Sequence, residues 1–273
     1  MEISGCSVVV TGAARGIGKA IATSLARRGA SLCLLDVLAG ELTGTAQELA
    51  REGGRVLPIG ADITDAEAVE AAFERSEREL GPTGVLVNNA ATFSVIGPVW
   101  EVDPELWFRD IRVNLYGAFL CSRAALKRMV PRGRGYLVNM VSEGGLSDPH
   151  PYSTSYACSK TGLMRLTEAI AKEGEPHGIT ALAVAPPAVL TDMTRFIMED
   201  PGGRKWRPSF ERLFAEHHDR PAAEIGEFVA ELLRSDCEAL SGRFIPCTAA
   251  LESLRADARR IVEEDLLTLR IRR

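Results

Sequence analysis

Val8-Val9-Val10-Thr11-Gly12-Ala13-Ala14-Arg15-Gly16-Ile17-Gly18 is the stretch from which the rest of the chain is read. A β-branched apolar run enters a glycine-rich turn, and the turn opens into Lys19 to Arg28, a segment of strong helix formers closed by Gly29. Glycine at 12 lets the chain leave a strand sharply, while glycines at 16 and 18 remove side chains where a pyrophosphate must approach backbone amides and a helix N-terminus. Strand, turn and helix in that order point to a dinucleotide site.

Outward from this turn, short apolar runs recur at Ser31 to Leu35, Arg55 to Ile59, Val85 to Val87, Gly135 to Val141 and Thr180 to Ala185, separated by amphipathic segments of helical period. Near-continuous apolar strands joined by helices are what a parallel sheet covered on both faces requires. The alternation therefore predicts a doubly wound α/β sheet. A seventh strand is expected at Arg243 to Cys247, after a helix from about Pro221 to Leu233, and no change of composition marks a second domain. Residues 1–273 read as one domain.

Two regions break the rhythm. Thr191 to Pro208, with Pro201-Gly202-Gly203 at its centre, is too interrupted for one regular element, and the stretch to about residue 215 reads either as a lid over a ligand or as an exposed insertion. The extension at 250–273 carries a helical pattern to about Leu267 and then alternates Leu267, Leu269 and Ile271 with Thr268, Arg270 and Arg272. Such alternation predicts packing, against another subunit if not as a frayed end.

The 273 residues carry 32 Lys+Arg against 37 Asp+Glu, a formal charge of −5, which offers no basic stripe for nucleic acid. The six cysteines form no Cys-x-x-Cys pair and read as reduced thiols of a cytoplasmic protein. No leader pattern precedes Val8, and the longest uncharged apolar stretch, Ile179 to Leu190, is interrupted by Pro186 and Pro187 and too short to span a bilayer. Neither nucleic acid nor membrane is expected as a partner.

The second apolar run ends in Asp36, about twenty residues past the turn. A carboxylate there accepts both ribose hydroxyls of an adenosine and repels a 2′-phosphate, which favours NAD over NADP. Arg15 is the competing signal, since an arginine can receive that phosphate, but Val37 adds no second positive charge. Asp62-Ile63 and Asn88-Asn89-Ala90-Ala91 follow the third and fourth strands and suit an adenine and ribose wall.

The fifth strand delivers Ser142 at its end, and a helix beginning near Ser155 carries Tyr156 and Lys160. Four residues apart, these two share a helix face. A tyrosine that exchanges protons near neutrality needs its pKa lowered by roughly 3 units from about 10, and a neighbouring ammonium is one means.

With these residues in place, the chain resembles the short-chain dehydrogenase/reductase family over about residues 5 to 248. The motifs that carry the likeness are Thr11 to Gly18, Asp62, Asn88-Asn89-Ala90, Asn114, Ser142, Tyr156, Lys160 and Pro186 to Thr191. The resemblance implies a Rossmann-type sheet of seven parallel strands in the order 3-2-1-4-5-6-7, flanked by helices, and a homodimer or homotetramer. It implies that Tyr156 is the general acid/base, that Ser142 hydrogen-bonds the substrate oxygen, and that Lys160 lowers the tyrosine pKa and binds the nicotinamide ribose. Asn114 would hold a proton-relaying water. Cofactor contacts are implied from Gly12, Arg15, Gly16, Ile17, Gly18, Asp36, Asp62, Ile63, Asn89, Ala90, Tyr156, Lys160, Pro186, Val189 and Thr191. No metal is required, so His217-His218 has no ligand role.

The implied activity is NAD-dependent interconversion of a secondary alcohol and a ketone on a small molecule. An NADPH-dependent 3-ketoacyl-type reductase and a catalytically silent nucleotide-sensing protein are the alternatives. Three departures from the family pattern bear on the pocket: Ala91 in place of glycine, Pro187 in place of glycine, and a long loop between Ser142 and Tyr156 with Glu143, Asp148, Pro149, His150 and Pro151.

Overall fold

The computed structural model describes residues 1–144 and 150–271. The first half alternates strictly: β1 (Ser7–Thr11), α1 (Gly16–Ala26), β2 (Ser31–Asp36), α2 (Ala39–Arg51), β3 (Arg55–Gly60), α3 (Ala66–Leu80) and β4 (Thr83–Asn88). Then follow α4 (Pro104–Ile111), α5 (Ala118–Met129), β5 (Gly135–Met140), α6 (Thr154–Gly174) and β6 (Ile179–Ala185). Three short helices come next, α7 (Asp192–Glu199), α8 (Pro201–Trp206) and α9 (Pro208–Ala215), before α10 (Ala222–Arg234), β7 (Phe244–Pro246), α11 (Leu251–Ala256) and α12 (Ala258–Glu263). One wide π turn, Arg112–Gly117, joins α4 to α5.

All seven strands are parallel, in the order β3-β2-β1-β4-β5-β6-β7. Residue-by-residue alternation assigns the two faces. Val8, Val10, Leu32, Leu34, Val85 and Val87 pack with Ile21, Leu25, Leu42 and Val229 of α1, α2 and α10. Their neighbours Val9, Cys33, Leu35 and Leu86 pack on the other face with Phe73, Cys121 and Met129 of α3 and α5. Because both faces are covered, the central strands are apolar along most of their length, which is why runs such as Val8 to Val10 and Leu32 to Leu35 lack the polar alternation of a half-exposed sheet.

The strand order reverses between β1 and β4, so the chain leaves these neighbours in opposite directions and a crevice opens outside their carboxyl ends. The turn after β1 and Asn89 after β4 flank it.

The region from Thr191, too interrupted in sequence for one regular element, holds the three short helices α7 to α9. Pro201 does not interrupt a helix but starts one: Asp200 caps α8 by accepting from the amides of Gly202 and Gly203 at 2.7 and 3.2 Å. The C-terminal helical pattern is two helices, and the tail beyond them packs on its own chain. The Phe244 amide donates to the Leu267 carbonyl at 2.8 Å, and the Leu269 amide donates to Glu168 Oε1 at 2.8 Å. Of the residues singled out in sequence, Asp148, Pro149 and Arg272 lie outside the described residues.

Candidate active site

A cleft of about 850 Å³ lies at the carboxyl ends of the central strands, within the range of ligand pockets. Gly12, Arg15, Gly16 and Ile17 line it from the turn, and Asp36, Asp62 and Ile63 line its far end. Asn89 and Ala90 lie between these groups, while Tyr156, Lys160, Pro186 and Thr191 close the opposite side. Gly18, Asn114, Ser142 and Val189 are not among its lining residues.

The turn is built by close approach. Gly12 has φ +64°, and a Cβ there would stand 2.7 Å from the Ala90 Cα; a Cβ on Gly18 would stand 2.1 Å from the Gly12 carbonyl oxygen. Gly18 thus seats α1 against the turn. Gly16, at φ +57°, keeps the cleft side open. Helix α1 has no side-chain cap and no acidic residue in its first turn, so its leading amides and dipole are available to an anion. These features fit the phosphates of a dinucleotide.

Asn89 supports the turn from beneath, its amide nitrogen donating to the carbonyls of Thr11 and Gly12 at 3.1 and 3.0 Å. Asn88, expected on the cofactor wall, is instead buried between strands and helices, donating to Ser122 Oγ at 2.9 Å and Asn139 Oδ1 at 2.8 Å. Val189, expected to touch cofactor, is a core residue whose carbonyl accepts from Thr194 Oγ1.

Asp36 ends β2 with its carboxylate held by two amides, Ala14 at 3.0 Å and Leu38 at 3.1 Å. Arg15, the competing signal for a 2′-phosphate, is engaged by acidic groups: its guanidinium lies 2.8 Å from Asp192 and 3.5 Å from Glu41.

At the other end of the cleft, Tyr156 and Lys160 share the inner face of α6, with the Lys160 amine 5.7 Å from the Tyr156 ring centre and donating to the Met140 carbonyl at 2.7 Å. Burial lowers the Lys160 ammonium to about 8. Burial also pushes the Tyr156 phenol up, opposed by a hydrogen bond with Ser142 and by the Arg207 guanidinium, while the Asp110 carboxylate adds to the rise. Arg207, from the segment between α8 and α9, is thus a second cation near the phenol beside the Lys160 amine that the sequence singles out. Arg207 reaches the start of α6, donating to Ser153 Oγ at 2.7 Å.

Asn114 sits on the π turn with its side chain committed to Thr92. Its Oδ1 accepts from the Thr92 amide at 2.7 Å, and its Nδ2 donates to the Thr92 carbonyl at 2.9 Å and to Ser159 Oγ at 3.1 Å. Phe93, beside Thr92, packs on the Tyr156 ring with centroids 5.0 Å apart. Phe93, Asp110 and Arg207 escaped the sequence reading because none stands in a recognisable spacing with Tyr156. Among the described residues no cluster of His, Cys, Asp and Glu could hold a metal ion, and no helix is long and apolar enough to cross a membrane.

Residues 7–202 match the family described as short chain dehydrogenase. The chain is 38% identical over 202 residues to galactitol 2-dehydrogenase (L-tagatose-forming) of Cereibacter sphaeroides, covering 73% of this chain and 78% of that protein. It is 39% identical over 178 residues to cis-4-hydroxycyclohexanecarboxylate dehydrogenase of Sinomonas cyclohexanicum, covering 65% and 71%. The crystal structure of levodione reductase superposes with a TM-score of 0.81 at 28% identity, covering 89% of this chain and 96% of that one.

Proposed function

The chain belongs to the short-chain dehydrogenase/reductase family of oxidoreductases, and from that premise we propose that it interconverts a secondary alcohol and a ketone with NAD(H). The observation that carries the reading is the placement of Tyr156 and Lys160 on the wall of the same cleft that Gly12, Gly16 and Asp36 line. A bound nicotinamide dinucleotide supplies the carbon that accepts or gives the hydride.

The chain's own residues handle the proton. In alcohol oxidation Tyr156 Oη takes the hydroxyl proton as hydride leaves the carbinol carbon; in ketone reduction it returns that proton to the carbonyl oxygen. Ser142, bonded to the phenol, holds the same substrate oxygen. Lys160 binds ribose hydroxyls and, tied to the Met140 carbonyl, fixes the face of α6 that carries Tyr156. Asn114, on the π turn with its side chain bonded to Thr92 and Ser159, would hold the water that relays the proton outward.

Preference for NAD(H) is supported by Asp36, whose carboxylate is anchored by two amides, and by Arg15, whose charge is already offset by Asp192 and Glu41. The substrate is a small molecule. Relatives named for galactitol and for a hydroxycyclohexanecarboxylate accord with a secondary carbinol, open-chain or cyclic.

We read the chain as one catalytic domain in which α7 to α9 form a lid. The cytoplasmic location is our reading of its six unbridged cysteines. Assembly as a homodimer or homotetramer accords with Tyr116 and Phe119, exposed and stacked 6.1 Å apart on the outer surface.

The test is an absorbance screen for NAD reduction over a panel of open-chain and cyclic secondary alcohols, with Tyr156→Phe as control. Turnover in the wild type that disappears in Tyr156→Phe is the expected result. Equal turnover in both would discard the mechanism, and strong preference for NADP would remove the role given to Asp36.

A further inference from the structure

Asp110, in the last turn of α4, is wholly shielded from solvent, yet the donors that reach its carboxylate are neutral. Thr92 Oγ1 donates to Oδ1 at 2.9 Å; the Ser94 amide and Ser155 Oγ donate to Oδ2 at 3.0 and 2.6 Å. A buried carboxylate is costly unless such bonds satisfy it, and an isosteric apolar residue would pack at that point without the expense. The arrangement therefore calls for a reason beyond packing.

The three donors supply it. Thr92 and Ser94 flank Phe93, and Ser155 immediately precedes Tyr156. One carboxylate thus grips the chain on both sides of Phe93 and at the residue next to Tyr156, the two rings that pack 5.0 Å apart. Asn114 strengthens the hold by taking both backbone groups of Thr92.

We propose that Asp110 is a positioning residue that locks Phe93 and Tyr156 against each other and sets a fixed negative charge behind the phenol. The inference rests on the reading of Tyr156 as the acid/base. The charged groups around the phenol are Asp110 from α4, Arg207 from the segment between α8 and α9, and Lys160 on α6 itself. Asp110 and Arg207 act in opposite directions, so their balance sets how readily Tyr156 gives up its proton. Removing the negative charge leaves Arg207 and Lys160 unopposed and favours the phenolate.

The experiment is NMR of the protein labelled with tyrosine carrying ¹³C at Cζ, the Tyr156 resonance being assigned by its loss in Tyr156→Phe. Asp110→Asn keeps the shape, removes the charge and withdraws one acceptor oxygen. The Tyr156 resonance is expected to move, with its titration lowered by about half a pH unit or more relative to wild type. An identical resonance with identical pH behaviour in the two proteins would overturn the inference.

Should Asp110→Asn not fold, Ser155→Ala and Thr92→Val each remove one donor and keep the charge. A displaced Tyr156 resonance in either is expected, and an unmoved resonance in both overturns the inference. This readout needs no substrate. It therefore separates from the alcohol screen: turnover that survives in Tyr156→Phe removes the acid/base reading, while an unmoved resonance removes only Asp110.

Discussion

The amine of Lys160 donates to the carbonyl of Met140 at 2.7 Å, tying the helix that carries Tyr156 to the end of the strand that leads to Ser142. That bond satisfies one of the three ammonium protons in a site shielded from water, so burial lowers the group from 10.5 to about 8. Between these values the unfolded chain binds a proton that the folded chain does not. Stability therefore rises with pH across that window, and the cost of burying the charge, about 3 kcal/mol, is felt in full below pH 8. Urea unfolding of wild type and Lys160→Met at pH 7.5 and 10 checks this: the wild type should gain stability relative to the variant at the higher pH. A constant difference would refute the assigned window.

Removing the phenol tests the chemistry itself. Tyr156→Phe leaves the ring that packs on Phe93 and removes only the oxygen, so the fold is expected to survive with kcat lower by about 10³-fold, within the usual range for a general acid/base. Because burial raises the Tyr156 phenol, alcohol oxidation by the wild type should speed up as pH rises towards the phenol's titration, and ketone reduction should slow. Opposite pH limbs for the two directions are the expected signature.

Cofactor choice is expected to turn on Asp36. Asp36→Ser removes the carboxylate that faces an adenosine ribose and would repel a 2′-phosphate, so kcat/KM with NAD should fall about tenfold and that with NADP should rise. The same change releases the Ala14 and Leu38 amides, and a stability loss of about 1–2 kcal/mol is expected. Asp192→Ala acts on the same choice from the other side, since it removes the nearer carboxylate from Arg15. That ion pair is half exposed and contributes about 0–1 kcal/mol, so thermal stability should be little changed while NADPH binding, followed by fluorescence, tightens severalfold.

How much of this was legible in sequence depends on the kind of residue. The strands announce themselves because a sheet covered on both faces needs apolar side chains at every position, and Val8 to Val10 or Leu32 to Leu35 can be little else. The turn is legible because Gly12 and Gly18 answer local constraints, each facing backbone too close for a side chain. Tyr156 and Lys160 are legible because a helix converts four residues of spacing into one face. Asp110 and Arg207 were not. A charged residue in a short helix reads as solvated, whereas Asp110 is the buried residue of α4, and only the fold brings Thr92, Ser94 and Ser155 to it. Arg207 stands among other charges in a stretch too broken for periodicity to orient, and its reach to Ser153 is a tertiary fact. Asn88 misled for another reason: it is the last residue of β4 rather than a residue beyond it, and its buried amide turns to Ser122 and Asn139.

Glycine 12 offers a direct test of the turn. Gly12→Ala would bring its Cβ to 2.7 Å from the Ala90 Cα, forcing the two segments apart, and would hold alanine at φ +64°, a conformation that favours glycine. Separating β1 from the chain after β4 widens the crevice where the phosphates would bind. We expect a stability loss of about 2 kcal/mol and NAD affinity weakened at least tenfold, read by urea unfolding and by calorimetric titration. Gly53→Ala, also at positive φ but with open space around it, should cost about 1 kcal/mol and leave NAD affinity unchanged.

The C-terminal tail provides the last separation of stability from chemistry. β7 is three residues long and is the outermost strand, so its outer edge would present unpaired backbone if the tail did not cover it. The Leu267 carbonyl accepts from the Phe244 amide at 2.8 Å, Leu269 packs near Phe244, and Arg165 and Glu168 of α6 bond the two ends of the Leu269 peptide at 2.7 and 2.8 Å. Ending the chain at Glu264 removes these partners together and exposes apolar surface. A loss on the order of 3 kcal/mol follows from the unsatisfied groups and lost burial. Tyr156 lies more than two turns from Arg165 along α6, and the cleft is lined by none of the removed residues, so kcat and the cofactor KM should stay within about twofold of wild type below the unfolding transition. Activity that fell with stability intact would instead place the tail in the working site.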